Sequence, residues 1–158
     1  MDSLKEAMNG KFEYFRMVLG MTRKMVEQWP DDRIDFRPVP EARSAGEILA
    51  HMYGFLVEGA ATAKSGVHEK QPEPTLETKG EALAFMDRQT VRFFEIWGQI
   101  TDEDLGRTVE AYGTSFPASQ FLDFTYAEHW HHRGQFTVYL RLRGVAPVMI
   151  YDYGQLQG

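Results

Sequence analysis

TKGEALAFMDRQTVRFFEIWGQI, residues 78–100, decides the fold class. Its opening, Thr78-Lys79-Gly80-Glu81, is a capping box: the threonine hydroxyl accepts from the amide three residues on, and the glutamate reaches back to the threonine amide. Behind it Leu83, Met86, Thr90, Phe93, Trp97 and Ile100 fall at alternating steps of three and four, nearly a coiled-coil seam, so an amphipathic helix is predicted. The same reading extends outward in both directions. Ser44-Ala45-Gly46-Glu47 is a second box, opening a helix that runs to about Lys64 with an inward stripe of Ile48, His51 or Met52, Phe55, Gly59 and Ala63. Upstream, Leu4 to Trp29 places Met8, Phe12, Phe15, Leu19, Thr22, Val26 and Trp29 on one stripe before Pro30. Downstream, a fourth helix is expected over Ala118 to Arg143, ended by Gly144 in a left-handed cap and by Pro147.

The segments between these helices read as connections. Asp31 to Arg43 holds Pro38 and Pro40 and is a crossover loop, and Gly66 to Pro74 is polar and proline-bearing. Thr101 to Pro117 reads as a structured loop, since its one alternating run, Thr108 to Tyr112, is too short for a sheet of its own. The tail from Val148 to Gly158, with Tyr151 and Tyr153, is expected to cross the helices. An all-α four-helix bundle, a single domain over residues 1–158, is the economical answer, and its apolar stripes need no metal to hold it together.

Composition narrows the function. Of 158 residues, 17 are Lys or Arg and 23 are Asp or Glu, for a formal charge of −6. Such a surface repels a polyphosphate backbone, so no nucleic-acid partner is expected. The absence of cysteine excludes disulfides, thiolate metal sites and a cysteine nucleophile. No apolar run approaches the roughly 20 residues that span a bilayer, and Met1-Asp2-Ser3-Leu4-Lys5-Glu6 lacks a signal-peptide layout, so a cytoplasmic protein without membrane association is expected.

The chemistry lies in Glu128-His129-Trp130-His131-His132-Arg133-Gly134-Gln135 on the fourth helix. At about 100° per residue, Glu128, His132, Gln135 and Tyr139 share a stripe with Phe121, Phe124 and Leu142, whereas His129, Trp130 and Arg133 fall on the flank or outer face and His131 on the border. Polar groups in a bundle interior must satisfy one another, water or a metal. Glu128 and His132, one turn apart, can converge on one ion, with His51 of the second helix as a third ligand. His129 with His132 is an alternative pair. Two imidazoles and a carboxylate suit zinc or nickel, with iron or manganese as alternatives. His68, in a polar loop, reads as solvated. Gly10, Gly20 and Gly134 make no phosphate-binding pattern, so nucleotide binding has no support.

The run from Tyr126 to Leu142 resembles the final-helix signature of the DinB/YfiT family, and Ser44 to Met52 resembles that family's second-helix start. Phe36-Arg37-Pro38 and Gly144-Val145-Ala146-Pro147 are also similar. The resemblance implies an up-down-down-up bundle, a homodimer, and a divalent metal held by three histidines in a cleft. It places His51 at the second-helix ligand, His132 at the last ligand, and Glu128 where the family usually has a histidine. A glutamate there either ligates, favouring harder cations, or salt-bridges Arg133 or a neighbouring helix in a member that has lost its metal. The implied activity is that of a metal-dependent hydrolase or thiol transferase acting on a small molecule such as a low-molecular-weight thiol, and the contrasting reading is a non-catalytic small-ligand or stress-response scaffold. Gln135 and Tyr139 would then orient substrate and His131 would shuttle protons.

Overall fold

A computed structural model describes residues 3–157. Met1, Asp2 and Gly158, which the expected domain and tail include, lie outside the described residues. The chain is mainly helical: α1 (Leu4–Glu27), α2 (Ala45–Ser65), α3 (Lys79–Gln99), a short α4 (Asp102–Gly106), strands β1 (Thr108–Ala111) and β2 (Thr114–Pro117), α5 (Ala118–Leu142), and a closing 3-10 turn, Tyr153–Leu156. Both predicted capping boxes form, on Ser44 with Glu47 and on Thr78 with Glu81. Gly144 takes the left-handed conformation expected after the last helix, with φ of 80°. Every member of the first stripe, from Met8 to Trp29, is buried.

The long helices share one core, in which Phe12 and Phe15 of α1 meet Phe93 of α3, and Phe12 also meets Trp97. α2 lies at the centre, buried on nearly all sides. It approaches α5 so closely that a Cβ placed on Gly59 would collide with the Thr125 methyl. At the other end of α2, Gly46 donates its amide to the Ile34 carbonyl at 2.7 Å. The connectors before α2 and before α3 are clasped together by backbone bonds: Ile34 N–H to the Glu77 carbonyl at 2.9 Å and Lys79 N–H to the Asp32 carbonyl at 2.7 Å. The tail packs on α1, where Tyr153 and Tyr14 hydroxyls bond at 2.6 Å.

One segment departs from the sequence reading. Residues 101–117 form not a loop but a capped helical turn and an antiparallel hairpin, Thr108 opposite Pro117 through Ala111 opposite Thr114. Its apex, Tyr112-Gly113, has φ of 52° and 74°, the two left-handed positions of the tight turn that matches strand twist. Four residues per strand suffice because Val109 and Ala111 bury themselves against the helices. No described helix is long and apolar enough to cross a membrane.

Candidate metal centre

The buried residues of α5 are Ala118, Phe121, Leu122, Thr125, His129, His132, Arg133, Phe136, Tyr139 and Leu140. At about 100° per residue they centre about 80° away from Glu128, so the stripe expected from the sequence is rotated. Leu142, expected inside, is 57% exposed, while His129 and Arg133, expected on the flank, are 1% and 2% exposed. The physical reason is that four polar residues occupy the buried sector and blur the apolar pattern that would have located it. The rotation puts Glu128 and His132 at the edge of the core rather than in its middle. That edge faces the half-exposed His51 of α2, and a cleft results.

In this cleft His51, Glu128 and His132 each offer a ligand atom, and these atoms lie within 4.8 Å of one another. The two imidazole rings stand edge to face at 4.8 Å. His51 Nδ1–H donates to the Glu73 carboxylate at 2.7 Å, and His132 places Nδ1 3.2 Å from Gln135 Oε1. Both Nε2 atoms face Glu128 Oε2, at 3.6 Å for His51 and at 3.0 Å for His132, where without an ion Nε2–H donates to the carboxylate. Two ring nitrogens and a carboxylate oxygen thus converge on one spot that suits a cation in place of that proton. Burial, above all, lowers the pKa of His132, which favours the neutral ring that a cation needs. Beside Glu73 lies an open hollow of about 660 Å³ lined also by Arg43, Lys70, Gln71 and Pro72. The cleft itself is open to solvent, with the Glu128 side chain 39% and the His51 side chain 19% exposed.

Other expected residues are placed as follows. His131 is exposed, its ring 4.8 Å from that of His132. Gln135 joins the cluster through His132. Tyr139 does not, since its hydroxyl donates to the Arg43 carbonyl at 2.8 Å and its ring packs on Phe36. His129, the alternative ligand, is turned away from the cleft. Thr22 gives its hydroxyl proton to the Val18 carbonyl at 3.1 Å and accepts from His129 Nε2–H at 2.7 Å. Wedged against Phe15 and Tyr53, the ring is held neutral by burial, with Arg133 and His132 adding to the effect, and its pKa falls to about 3. Glu128 does not pair with Arg133. That guanidinium lies 4.1 Å from the Trp130 ring and donates to the Val18 carbonyl at 3.3 Å.

Sequence reasoning did not find Glu73, because a loop residue 22 positions from its imidazole carries no periodic signal. It also read His68 as solvated, whereas His68 Nε2–H donates at 2.7 Å to Glu58, whose side chain is only 4% exposed.

The class of protein these features define is a mainly helical chain with a candidate His-Glu-His metal cleft between two of its helices. The chain belongs to the DinB family, whose model matches residues 5–157. It is 23% identical over 135 residues to an uncharacterized protein, YjoA, from Bacillus subtilis, covering 84% of this chain and 88% of that protein. The crystal structure of DinB-like YjoA from Bacillus subtilis superposes with a TM-score of 0.76 at 22% identity, over 90% of this chain and 97% of that one. A DinB-like protein from Bacillus cereus ATCC 10987 gives a TM-score of 0.70 at 23% identity, covering 89% and 95%. The family model establishes the family, and the two structural likenesses establish the fold.

Proposed function

We propose that this protein is a divalent-metal-dependent enzyme of the DinB type, with His51, Glu128 and His132 as ligands and hydrolysis or thiol transfer on a small molecule as its reaction. The observation that supports it is the convergence of both Nε2 atoms on Glu128 Oε2 while each Nδ1 faces an oxygen of its own, on Glu73 or Gln135. That donor set fits zinc or nickel, with room for exchangeable positions because the Glu128 side chain is 39% exposed. An ion there supplies Lewis-acid polarisation and makes a nucleophile available near neutral pH with no cysteine in the chain.

The chain's own groups then have defined tasks. Glu73 and Gln135 hold the two rings with Nε2 inward, the carboxylate–imidazole arrangement that fixes tautomer and raises donor strength. His131, exposed beside His132, exchanges protons with solvent. The hollow next to Glu73 admits the substrate. The finer architecture belongs to the same proposal: one domain, an up-down-down-up four-helix bundle, assembled as a homodimer in solution.

The test is metal analysis of protein purified without chelator or nickel resin, followed by calorimetric titration. About one zinc or nickel ion per chain is expected, with His51→Ala, Glu128→Ala and His132→Ala each weakening binding by about 10-fold or more. A parent protein that refuses zinc, nickel and manganese sinks the metal-enzyme reading in favour of a non-catalytic scaffold.

A further inference from the structure

A second polar cluster lies on the same side of α2 as His51, about 10 Å further along the helix axis, counted as seven residues from His51 to Glu58. The Glu58 carboxylate is 4% exposed and faces no lysine or arginine among the described residues. Instead its Oε1 accepts from His68 Nε2–H at 2.7 Å and from the Tyr112 hydroxyl at 2.5 Å. The backbone amide of Gln71 approaches the other oxygen at 3.4 Å. Between this cluster and the metal centre runs a continuous aromatic wall: His51 stacks on Phe55, Phe55 meets Phe121, and Phe121 meets His68 and Tyr112.

Two features go beyond what holding the fold requires. A tyrosine at positive φ costs about 1 kcal/mol or more where glycine or asparagine would sit without strain. Tyr112 accepts that cost at the hairpin apex, and the result is a phenol fixed on Glu58. His68 has its tautomer fixed as well. With Nε2–H given to the carboxylate, the ring's one hydrogen bond among the described residues, Nδ1 carries the lone pair and belongs to a side chain 23% exposed. An imidazole held by a buried carboxylate at one nitrogen and bare at the other is the arrangement of a general base.

We propose that His68 is a proton acceptor of this cleft, oriented by Glu58 and separate from the metal ligands. A substrate that meets the partly exposed His68 ring gives a proton from an O–H, N–H or S–H group to its Nδ1. The imidazolium so formed is balanced by the Glu58 carboxylate, and the proton returns to solvent or product by the same atom, with no co-reactant required. Glu58 and Tyr112 act through His68, as positioning residues. The inference places His68 in the cleft of the proposed enzyme, yet its geometry does not depend on an ion being bound.

Diethyl pyrocarbonate, which acylates a bare imidazole nitrogen, reads this directly when the modified histidines are mapped by mass spectrometry on chelated and on zinc-treated protein. Exposed His131 is the internal control. His68 should react roughly fivefold faster than His131, and Glu58→Gln should bring it to the rate of His131 or below. A parent His68 no faster than His131, or one whose rate ignores Glu58→Gln, overturns the proposal. Long-range proton–nitrogen NMR on the unsubstituted protein gives a check that needs no variant: Nε2–H with bare Nδ1 supports it, and the opposite tautomer overturns it. Zinc titration of His68→Gln keeps the two readings apart. Loss of metal binding in the parent defeats the metal centre and leaves the His68 rates to decide this inference alone.

Discussion

His129 and His132 stand one turn apart on α5 in two different solvents. His129 is sealed behind Phe15 and Tyr53 with a single partner, Thr22, whereas His132 sits at the core edge among Glu128, Gln135 and His51. One ring gives Nε2–H to Thr22 and keeps a bare Nδ1 sealed inside the core, where no ligand reaches it. The other points Nε2 at a carboxylate, with a second imidazole beside it. What separates a structural histidine from a candidate ligand here is not burial, which both share, but whether the free nitrogen meets further acceptors.

The largest expected break of this comparison is His129→Ala. It removes a fully buried ring and the hydrogen bond that ring gives Thr22, at a cost of about 3 kcal/mol, read as a lower denaturant midpoint, while metal stoichiometry stays that of the parent. His132→Ala should do the reverse, losing the metal at a smaller cost in stability. If His129→Ala abolishes metal binding without unfolding, the contrast drawn here fails.

The next effect is on pH. His129 has a folded pKa of about 3, lowered by burial, against about 6.5 when unfolded. Below pH 6.5 the unfolded chain therefore takes up a proton that the folded chain refuses, so stability is full above that pH and drains as pH falls toward 3. Between pH 6.5 and 5 the loss attributable to this ring is about 2 kcal/mol, at about 1.4 kcal/mol per unit. Chemical denaturation of parent and His129→Ala over that range should show the steeper acid slope in the parent alone.

The smallest change sharpens the boundary of the site. Tyr139→Phe removes one bond to the Arg43 carbonyl and should cost about 1 kcal/mol with zinc affinity unaltered. A drop in metal affinity in that variant would bring Tyr139 back into the cleft.

The helices were legible where local rules act alone. Ser44 with Glu47 and Thr78 with Glu81 announce two starts, and the α1 stripe is apolar enough to be counted. On α5 the same counting slipped, because Thr125, His129, His132 and Arg133 occupy the buried sector and leave no clean apolar seam from which to set the angle. The cluster of His51, Glu128 and His132 was legible from spacing and resemblance together. The partner Glu73 of His51 was not, nor were the groups that bond Glu58: Glu73 and Gln71 come from the connector before α3, and Tyr112 from a hairpin whose pairing is decided by burial of Val109 and Ala111 rather than by strand length. The short turn Thr101–Asp104 was missed for a simpler reason, since aspartate can close the same box as glutamate.

The clasp between the two connectors carries a consequence for how the cleft can vary. Glu73, which steers His51, sits a few residues before Glu77, and Glu77 is tied through its carbonyl to Ile34. An insertion or deletion near Ile34 would shift the leash on which that carboxylate hangs and so retune the imidazole from a distance. The character of the cleft can then be varied through loop length, with His51, Glu128 and His132 left in place.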